Sequence, residues 1–219
     1  MLHTLSQIFK FIKRKLYCAF IDFTKAFDNV WRVGLWSKML TYSVDGNFFN
    51  VVKNMYNNIK SCVTVNGLLS DYFTSFSGVR QGENLSPLLF AIYLNDLEAF
   101  LLGKNCNGVK LEIVDDQVEF YIKLLILLYA DDTVLLASNP EELQTSLNHF
   151  NSYCKLWKLK VNISKTKIFI FGSGPSKTTK YTFTFGNECI QIANLFCYLG
   201  IQFHRNRPLV YAMKDLAHS

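Results

Sequence analysis

Two adjacent carboxylates, Asp131-Asp132, stand between two apolar runs at residues 124–130 and 133–137. The runs are too short to span a bilayer, so we interpret them as buried strands joined in a tight hairpin with the acidic pair at its tip. Carboxylates this close repel each other, and a bound divalent cation relieves the repulsion. Taken alone, an Asp-Asp pair at a turn is more often a plain solvated turn.

A third carboxylate, Asp22, directly follows the apolar run 16–21, which has the pattern of a buried strand. A carboxylate at the end of such a strand is costly unless it gains a cation or hydrogen bonds. Hard oxygen ligands select Mg²⁺ or Mn²⁺. Two such ions about 3.5–4 Å apart can clamp the attacking and leaving oxygens of a phosphoryl transfer. These residues are therefore candidates for a two-metal site.

The remaining patterns predict interleaved helices and strands. Helical spacing is expected at 1–15, 31–42, 48–59 and 86–102, the last with Ser86 as N-cap and Pro87 at the first helical position, and in a helix opened by Asn139 and Pro140. Strands are expected in a hairpin that turns at Asn66-Gly67, and at 167–171, 181–185 and 197–203. Residues 103–120 are interpreted as a loop with at most one strand. The predicted class is α+β, with an antiparallel-rich sheet.

Composition constrains the function only weakly. The chain has 219 residues, half of them hydrophobic, which is enough for one domain or slightly more. The formal charge of +6 slightly favours a polyanionic partner. The six cysteines form no Cys-x-x-Cys pair, which suits reduced thiols in an intracellular protein and argues against a zinc site. No secretory or transmembrane segment is expected, because the N-terminal apolar stripe precedes its basic residues.

The stretch 78–90 lies between the two acidic sites and combines a glycine-rich loop with a helix start. Such a loop can approach a template base and a nucleotide closely, although in isolation it is more often a plain helix-capping loop. Together with the acidic sites, it completes a set of five segments that resemble, in order, motifs A to E of the reverse transcriptases of non-LTR (LINE-type) retrotransposons. The segments are Asp22 with 25–28, Arg80-Gln81-Gly82 with Ser86-Pro87, Tyr129 to Asp132, 157–162 with Lys165-Thr166-Lys167, and 197–200.

The resemblance implies a reverse-transcriptase palm: an antiparallel-rich sheet packed on helices, with fingers and thumb largely missing. Residues 1–15 would be the remnant of a fingers helix, 16–203 the palm, and 204–219 a truncated start of the thumb or a tail. It also implies an RNA-directed DNA polymerase of a mobile element, which adds dNTPs to a primer 3′-hydroxyl. The expected partners are an RNA template and a DNA primer, and no membrane.

Family roles fall on particular residues. Asp22, Asp131 and Asp132, with the backbone of Phe23, would hold two Mg²⁺ or Mn²⁺ ions. Lys165 would be the general acid that protonates pyrophosphate, with Lys167 as its rival. The residues expected at the incoming nucleotide or template are Phe23, Lys25, Ala26, Phe27, Gln81 and Gly82.

Phe27 would be a steric gate that disfavours a 2′-hydroxyl, unless it is simply a core phenylalanine. Asp28 is expected to be structural. Glu83 departs from the family pattern, since a carboxylate near the phosphates would repel them.

Two other functions fit the sequence. One is a truncated, inactive remnant that folds and at most binds nucleic acid or a partner. The more remote one is a metal-dependent nuclease that uses the same carboxylates, but it would not need the Arg-Gln-Gly and Leu-Gly segments. The expected location is intracellular, in the nucleus or the cytoplasm.

Overall fold

A computed structural model describes residues 2–57, 59–115, 118–129, 131–172 and 181–204. Its helices are α1 (Leu2–Phe11), α2 (Arg32–Thr41), α3 (Gly46–Asn57), α4 (Ser86–Leu94), α5 (Leu97–Gly103) and α6 (Pro140–Leu156). Its strands are β1 (Leu16–Ile21), β2 (Lys60–Ser61), β3 (Thr64–Val65), β4 (Leu68–Leu69), β5 (Phe73–Thr74), β6 (Val109–Asp115), β7 (Val118–Leu124), β8 (Ile126–Tyr129), β9 (Asp132–Ala137), β10 (Lys167–Phe171), β11 (Phe183–Phe185), β12 (Glu188–Ile192), β13 (Leu195–Tyr198) and β14 (Ile201–His204).

The chain forms two compact units, each assembled from separate stretches of sequence. The first unit comprises Met1–Asp22, Glu98–Tyr153 and Val161–Ser219. The second unit comprises Phe23–Leu97 and Cys154–Lys160. The mixture of helices with largely antiparallel sheets confirms the α+β class.

The first unit is built on a six-stranded sheet in the order β11-β12-β10-β1-β9-β8. Strand β1 pairs antiparallel with β10 on one side and with β9 on the other, while β10 and β12 run parallel. All six residues of β1 are buried. This burial explains why the strand is a continuous apolar run rather than an alternating one.

One face of this sheet forms the main apolar cluster of the first unit. Alternation of side chains places Cys18 and Phe20 of β1 on this face with Val134 of β9 and Phe169 of β10. Helix α1 covers the face with its apolar stripe of Leu2, Leu5 and Phe9, all buried in the same cluster. The N-terminal helical stripe expected from the sequence is thus a packing element of the sheet.

The helix expected over 86–102 is instead two helices, α4 and α5, separated by Asn95 and Asp96. Ser86 is the first helical residue rather than the N-cap, so that expectation is wrong. Leu85 occupies the cap position without a side-chain bond, and the Ser86 hydroxyl donates to the carbonyl of Arg80 instead. Among the described residues, the stretch Ser86–Gly103 is long and apolar enough to cross a membrane, a test that the core helix of a soluble protein also passes.

Two other stretches contain more strand than expected. Strands β6 and β7 pair antiparallel within residues 103–120 and just beyond, where at most one strand was predicted. Residues 197–203 form a hairpin, β13–β14, because Leu199 and Gly200 have positive φ angles of 49° and 76° and reverse the chain. The expected thumb or tail at 204–219 lies outside the described residues except for His204.

The second unit is held together by a buried lysine. The Lys38 side chain in α2 is 3% exposed and contacts the carboxylate of Asp96 at 2.5 Å. Its ammonium also donates to the carbonyl of Tyr93 and lies 3.7 Å from the ring centroid of Trp157. One cation therefore ties α2 to the α4–α5 junction and to the 154–160 stretch.

Candidate active site

The register of the central strand gathers the carboxylates of the first unit. Ile21 pairs with Thr133, so continuing the β1–β9 register by one residue sets Asp22 opposite Asp132. Because side chains alternate, Asp22 and Asp132 share the face of Phe20 and Val134. The hairpin β8–β9 turns directly before Asp132, which pairs with Tyr129, as the sequence predicted.

The three carboxylates influence one another electrostatically. Burial raises the pKa of Asp132, and the charges of Asp131 and Asp22 raise it further. All three side chains are half-buried. Such a cluster of negative charge is what a divalent cation would neutralise. Within the described ranges, no three acidic, His or Cys side chains are already grouped as a preformed metal site.

Asp22 is held by hydrogen bonds on both sides of its backbone. Its N–H donates to the hydroxyl of Thr166 at 3.2 Å, and its carbonyl accepts from the N–H of Asn162 at 2.7 Å. Lys165 lies between these two residues in the same turn. The segment that resembles motif D is therefore attached directly to the residue that resembles the motif A aspartate.

A cavity of about 580 Å³ opens beside these groups within the first unit, and its lining includes Asp22, Asp132, Lys165 and Lys167. The two lysines differ in their contacts. The Lys167 ammonium donates to the carbonyl of Ser164 at 2.6 Å and to the side-chain oxygen of Gln191 at 2.9 Å. The Lys165 side chain is exposed and has no hydrogen-bond partner among the described residues. Lys165 is thus the lysine free to reach a ligand in the cavity.

Tyr198 lines the same cavity, and it belongs to the segment 197–200 that resembles motif E, although the sequence assigned it no individual role. Its ring lies 5.2 Å from that of Phe20, between centroids. Burial raises the pKa of the Tyr198 phenol, and the charge of Asp132 raises it further. Tyr198 directly precedes the Leu199-Gly200 turn, and the resemblance of 197–200 to motif E was the sequence signal for this segment.

In the second unit, the segments around Phe27 and Gln81 are joined. The N–H of Val79 donates to the carbonyl of Phe27 at 2.8 Å, and the N–H of Gly78 donates to that of Val30 at 2.9 Å. Gln81 then donates from its side-chain amide to the Asp28 carboxylate at 2.9 Å. This hydrogen bond links the Asp28 carboxylate to the Arg-Gln-Gly segment.

Buried Arg32 fixes the stretch of chain that precedes this loop. Its guanidinium donates to the carbonyls of Ser75, Ser77 and Gly78, and to that of Tyr56 at the end of α3. Four carbonyl acceptors on one planar fork fix the path of the chain into the Arg-Gln-Gly segment.

The charge of Glu83 is paired. Its carboxylate accepts from the guanidinium of Arg80 at 2.7 Å, and Arg80 also donates to the carbonyl of Met55. Gly82, the neighbour of Glu83, has a positive φ of 84° and open space around its α-carbon. The Glu83 carboxylate therefore lies beside a cation of the same loop, Arg80.

The residues expected to lie against a nucleotide differ in exposure. Phe27 is half-buried, 5.2 Å from the ring of Phe90, and Phe23 is buried edge-on to the same ring at 6.2 Å, between centroids. Ala26 is buried, whereas Lys25 is exposed with a positive φ of 47°. Phe27 is thus packed from one side, which suits a gate and a core residue equally.

A sheet whose central strand ends in one carboxylate, next to a hairpin tip that carries two more, defines the palm of a nucleic-acid polymerase. The model of the family described as reverse transcriptase (RNA-dependent DNA polymerase) matches residues 2–203. The chain belongs to this reverse transcriptase family, and the LINE-type resemblance of its motifs is confirmed.

Curated relatives come from mobile elements. The chain is 33% identical over 160 residues to a probable RNA-directed DNA polymerase from transposon BS of Drosophila melanogaster, covering 69% of this chain and 16% of that protein. It is 26% identical over 216 residues to the RNA-directed DNA polymerase from mobile element jockey of Drosophila funebris, covering 95% and 22%. The chain therefore spans about a fifth of the length of these relatives.

Solved structures share the fold. Apo telomerase from Candida tropicalis matches over 93% of this chain and 34% of its own, with a TM-score of 0.58 at 14% identity. A form of that enzyme truncated from its C-terminal domain matches 93% of this chain and 38% of its own, with a TM-score of 0.57 at 16% identity. At this identity, the likeness establishes the fold alone.

Proposed function

We propose that this chain is the catalytic palm of an RNA-directed DNA polymerase encoded by a LINE-type mobile element. The observation that carries the proposal is the strand register that sets Asp22 opposite Asp132, with Lys165 in the turn attached to Asp22. The reaction is attack of a primer 3′-hydroxyl on the α-phosphate of a dNTP, with release of pyrophosphate. Positioning and charge neutralisation supply most of the catalysis.

Divalent cations fit the residues at this site. Members of the family generally use divalent metal ions. The donors on Asp22, Asp131 and Asp132 are hard carboxylate oxygens, and burial, followed by the charges of Asp131 and Asp22, raises the pKa of Asp132. These three residues, with the carbonyl of Phe23 as a further oxygen, would hold two Mg²⁺ or Mn²⁺ ions. The ions would activate the attacking hydroxyl and neutralise charge on the phosphates.

The chain's own groups perform the remaining steps. Lys165 donates a proton to the leaving pyrophosphate, and its free, exposed ammonium supports this role over Lys167. Gln81 and Gly82 contact the template and the nucleotide, while the Lys25-Ala26 turn lies against the triphosphate. Phe27 excludes a 2′-hydroxyl, so deoxynucleotides are preferred.

The partners are an RNA template and a DNA primer. Support comes from relatives that are named RNA-directed DNA polymerases, and from a Candida tropicalis telomerase solved with a fragment of telomeric RNA. The net charge of +6 is compatible with nucleic acid. We further propose that residues 1–15 belong to a fingers helix and 16–203 to the palm, and that the protein acts in the nucleus or cytoplasm.

Extension of a DNA primer on an RNA template tests the function. The purified chain should add dNTPs in the presence of Mg²⁺, and Asp131→Asn should reduce the rate by at least about 1,000-fold because it removes a charged metal ligand. Asp45→Asn is the matched control, since Asp45 is exposed ahead of α3. A wild-type chain that binds the duplex without extending it indicates the inactive remnant, and cleavage of the duplex indicates the nuclease.

A further inference from the structure

The pairing of β1 with β10 ends before it reaches Asp22. The last paired residues are Phe20 and Lys167, so no strand-to-strand bond is left for the Asp22 N–H. The hydroxyl of Thr166 accepts that N–H instead, at 3.2 Å. The Thr166 side chain, which is distant in sequence, therefore replaces the missing strand-to-strand hydrogen bond at Asp22.

Thr166 is held firmly in the position from which it accepts the Asp22 N–H. Its side chain is fully buried, and its own N–H donates to the carbonyl of Asn162 at 2.9 Å. The Asn162 side-chain oxygen accepts from the Ser164 hydroxyl at 2.7 Å and from the Lys165 N–H at 3.4 Å. The turn that carries Lys165 is therefore closed on itself, and both of its ends bond to the backbone of Asp22.

We propose that Thr166 is a positioning residue that fixes the metal-binding carboxylate of Asp22 and the ammonium of Lys165 relative to each other. This inference rests on the proposed function. Removal of the hydroxyl leaves the Asp22 N–H without its acceptor and frees one of the two attachments between the turn and the strand. Both groups then lose their orientation, although neither is altered chemically.

The test compares two substitutions at one position. Thr166→Val keeps the shape and removes the acceptor, whereas Thr166→Ser keeps the acceptor. Thr184→Val is the matched control. Thr184 lies in β11, which β12 and β10 separate from β1, and its hydroxyl accepts from the side-chain amide of Gln144 in α6. Each variant is made in the full 219-residue chain, and urea unfolding confirms that it is folded.

Single-nucleotide extension should separate a positioning role from a purely structural one. For Thr166→Val we expect kcat to fall about 10- to 100-fold, while KM for the dNTP changes less than about 3-fold. Thr166→Ser and Thr184→Val should stay within about 3-fold of wild type in both constants. Wild-type kcat in Thr166→Val, or an equal loss in Thr166→Ser, would overturn the proposal.

A second measurement does not depend on activity. Titration of the protein alone with Mn²⁺, with free ion followed by electron paramagnetic resonance, should show Kd raised about 10-fold by Thr166→Val and restored by Thr166→Ser. If the wild-type chain binds Mn²⁺ but never extends a primer, the proposed function fails while this comparison still decides the role of Thr166. Equal Mn²⁺ affinity in all three proteins would overturn that role.

If Thr166→Val does not fold, Thr166→Ser decides: wild-type constants support the proposal, and a 10-fold loss overturns it.

Discussion

Two glycines ahead of α4 have the same backbone conformation but different surroundings. Gly78 and Gly82 have φ angles of 83° and 84°. A β-carbon on Gly78 would lie 2.6 Å from the carbonyl oxygen of Asp28, whereas one on Gly82 would meet nothing within 4 Å. Gly78 is therefore required both for its φ angle and for the close approach of two backbone segments.

Alanine at each position separates these two requirements. Gly82→Ala should lower the free energy of unfolding by about 1 kcal/mol, the cost of a positive φ with a β-carbon. Gly78→Ala should cost about 2 kcal/mol more, because the backbone of Asp28 must move. Urea unfolding of both variants measures the difference. Equal losses of unfolding free energy in the two variants would show that the backbone of Asp28 can move away from Gly78 at little cost.

At this scale, the sequence predicted the groups that carry charge but not the groups that orient them. Asp22, Asp132 and Lys165 were predicted because their residue types and motif spacing are distinctive. Thr166 and Asn162 act through hydrogen bonds to a residue far away in sequence. Only the pairing of β1 with β10 shows that contact.

At the scale of elements, the ion pair between buried Lys38 and half-buried Asp96 explains a break in the helix expected over 86–102 that the sequence did not predict. Apolar residues continue at helical spacing through 86–102, so the pattern favours one helix. The break at Asn95-Asp96 places the Asp96 carboxylate 2.5 Å from the Lys38 ammonium. The break is required by Lys38 on another helix. The periodicity of apolar residues within 86–102 gives no indication of such a partner.

The same pair should make stability depend on pH. Burial lowers the pKa of Lys38 from 10.5 to about 8, although the hydrogen bond and charge of Asp96 act in the opposite direction. Below about pH 8 the amine is protonated in both states. Between about 8 and 10.5 the unfolded chain binds more protons, so the free energy of unfolding rises with pH.

Lys38→Met isolates this contribution, because other groups also titrate in this range. The wild type should gain about 1–2 kcal/mol relative to Lys38→Met between pH 7.5 and 9.5, measured by urea unfolding at each pH. The variant also loses the ion pair with Asp96, so the comparison uses the change of the stability difference with pH rather than its value at one pH. Parallel stability curves for the two proteins would contradict the lowered pKa.

At the scale of the whole molecule, the class could be predicted and the strand order could not. Apolar runs and turn residues are local and identify most strands. The sheet order β11-β12-β10-β1-β9-β8 and the parallel pairing of β10 with β12 depend on contacts between distant segments. The palm was predicted from the family resemblance, because the hydrophobic pattern alone predicted only the α+β class.

A shortened chain tests how far the first unit depends on its last strands. A chain that ends at Lys160 keeps Asp22, Asp131 and Asp132 but lacks β10 and the strands after it. We expect the first unit to contribute no cooperative urea transition by circular dichroism, because β1 loses a neighbour and the apolar cluster loses Phe169, Phe171 and Phe203. A cooperative transition with the midpoint of the full chain would show that β1 and β9 suffice.

The position of β1 between two late strands also sets the order of events during synthesis. During synthesis β1 leaves the ribosome before β9 and β10, and the whole Phe23–Leu97 stretch is made between β1 and these two partners. Pairings this distant in sequence form slowly, and until they form β1 is an exposed apolar strand with two open edges. Each newly made copy therefore passes through a period in which it can aggregate, and Asp22 has no defined place until that period ends.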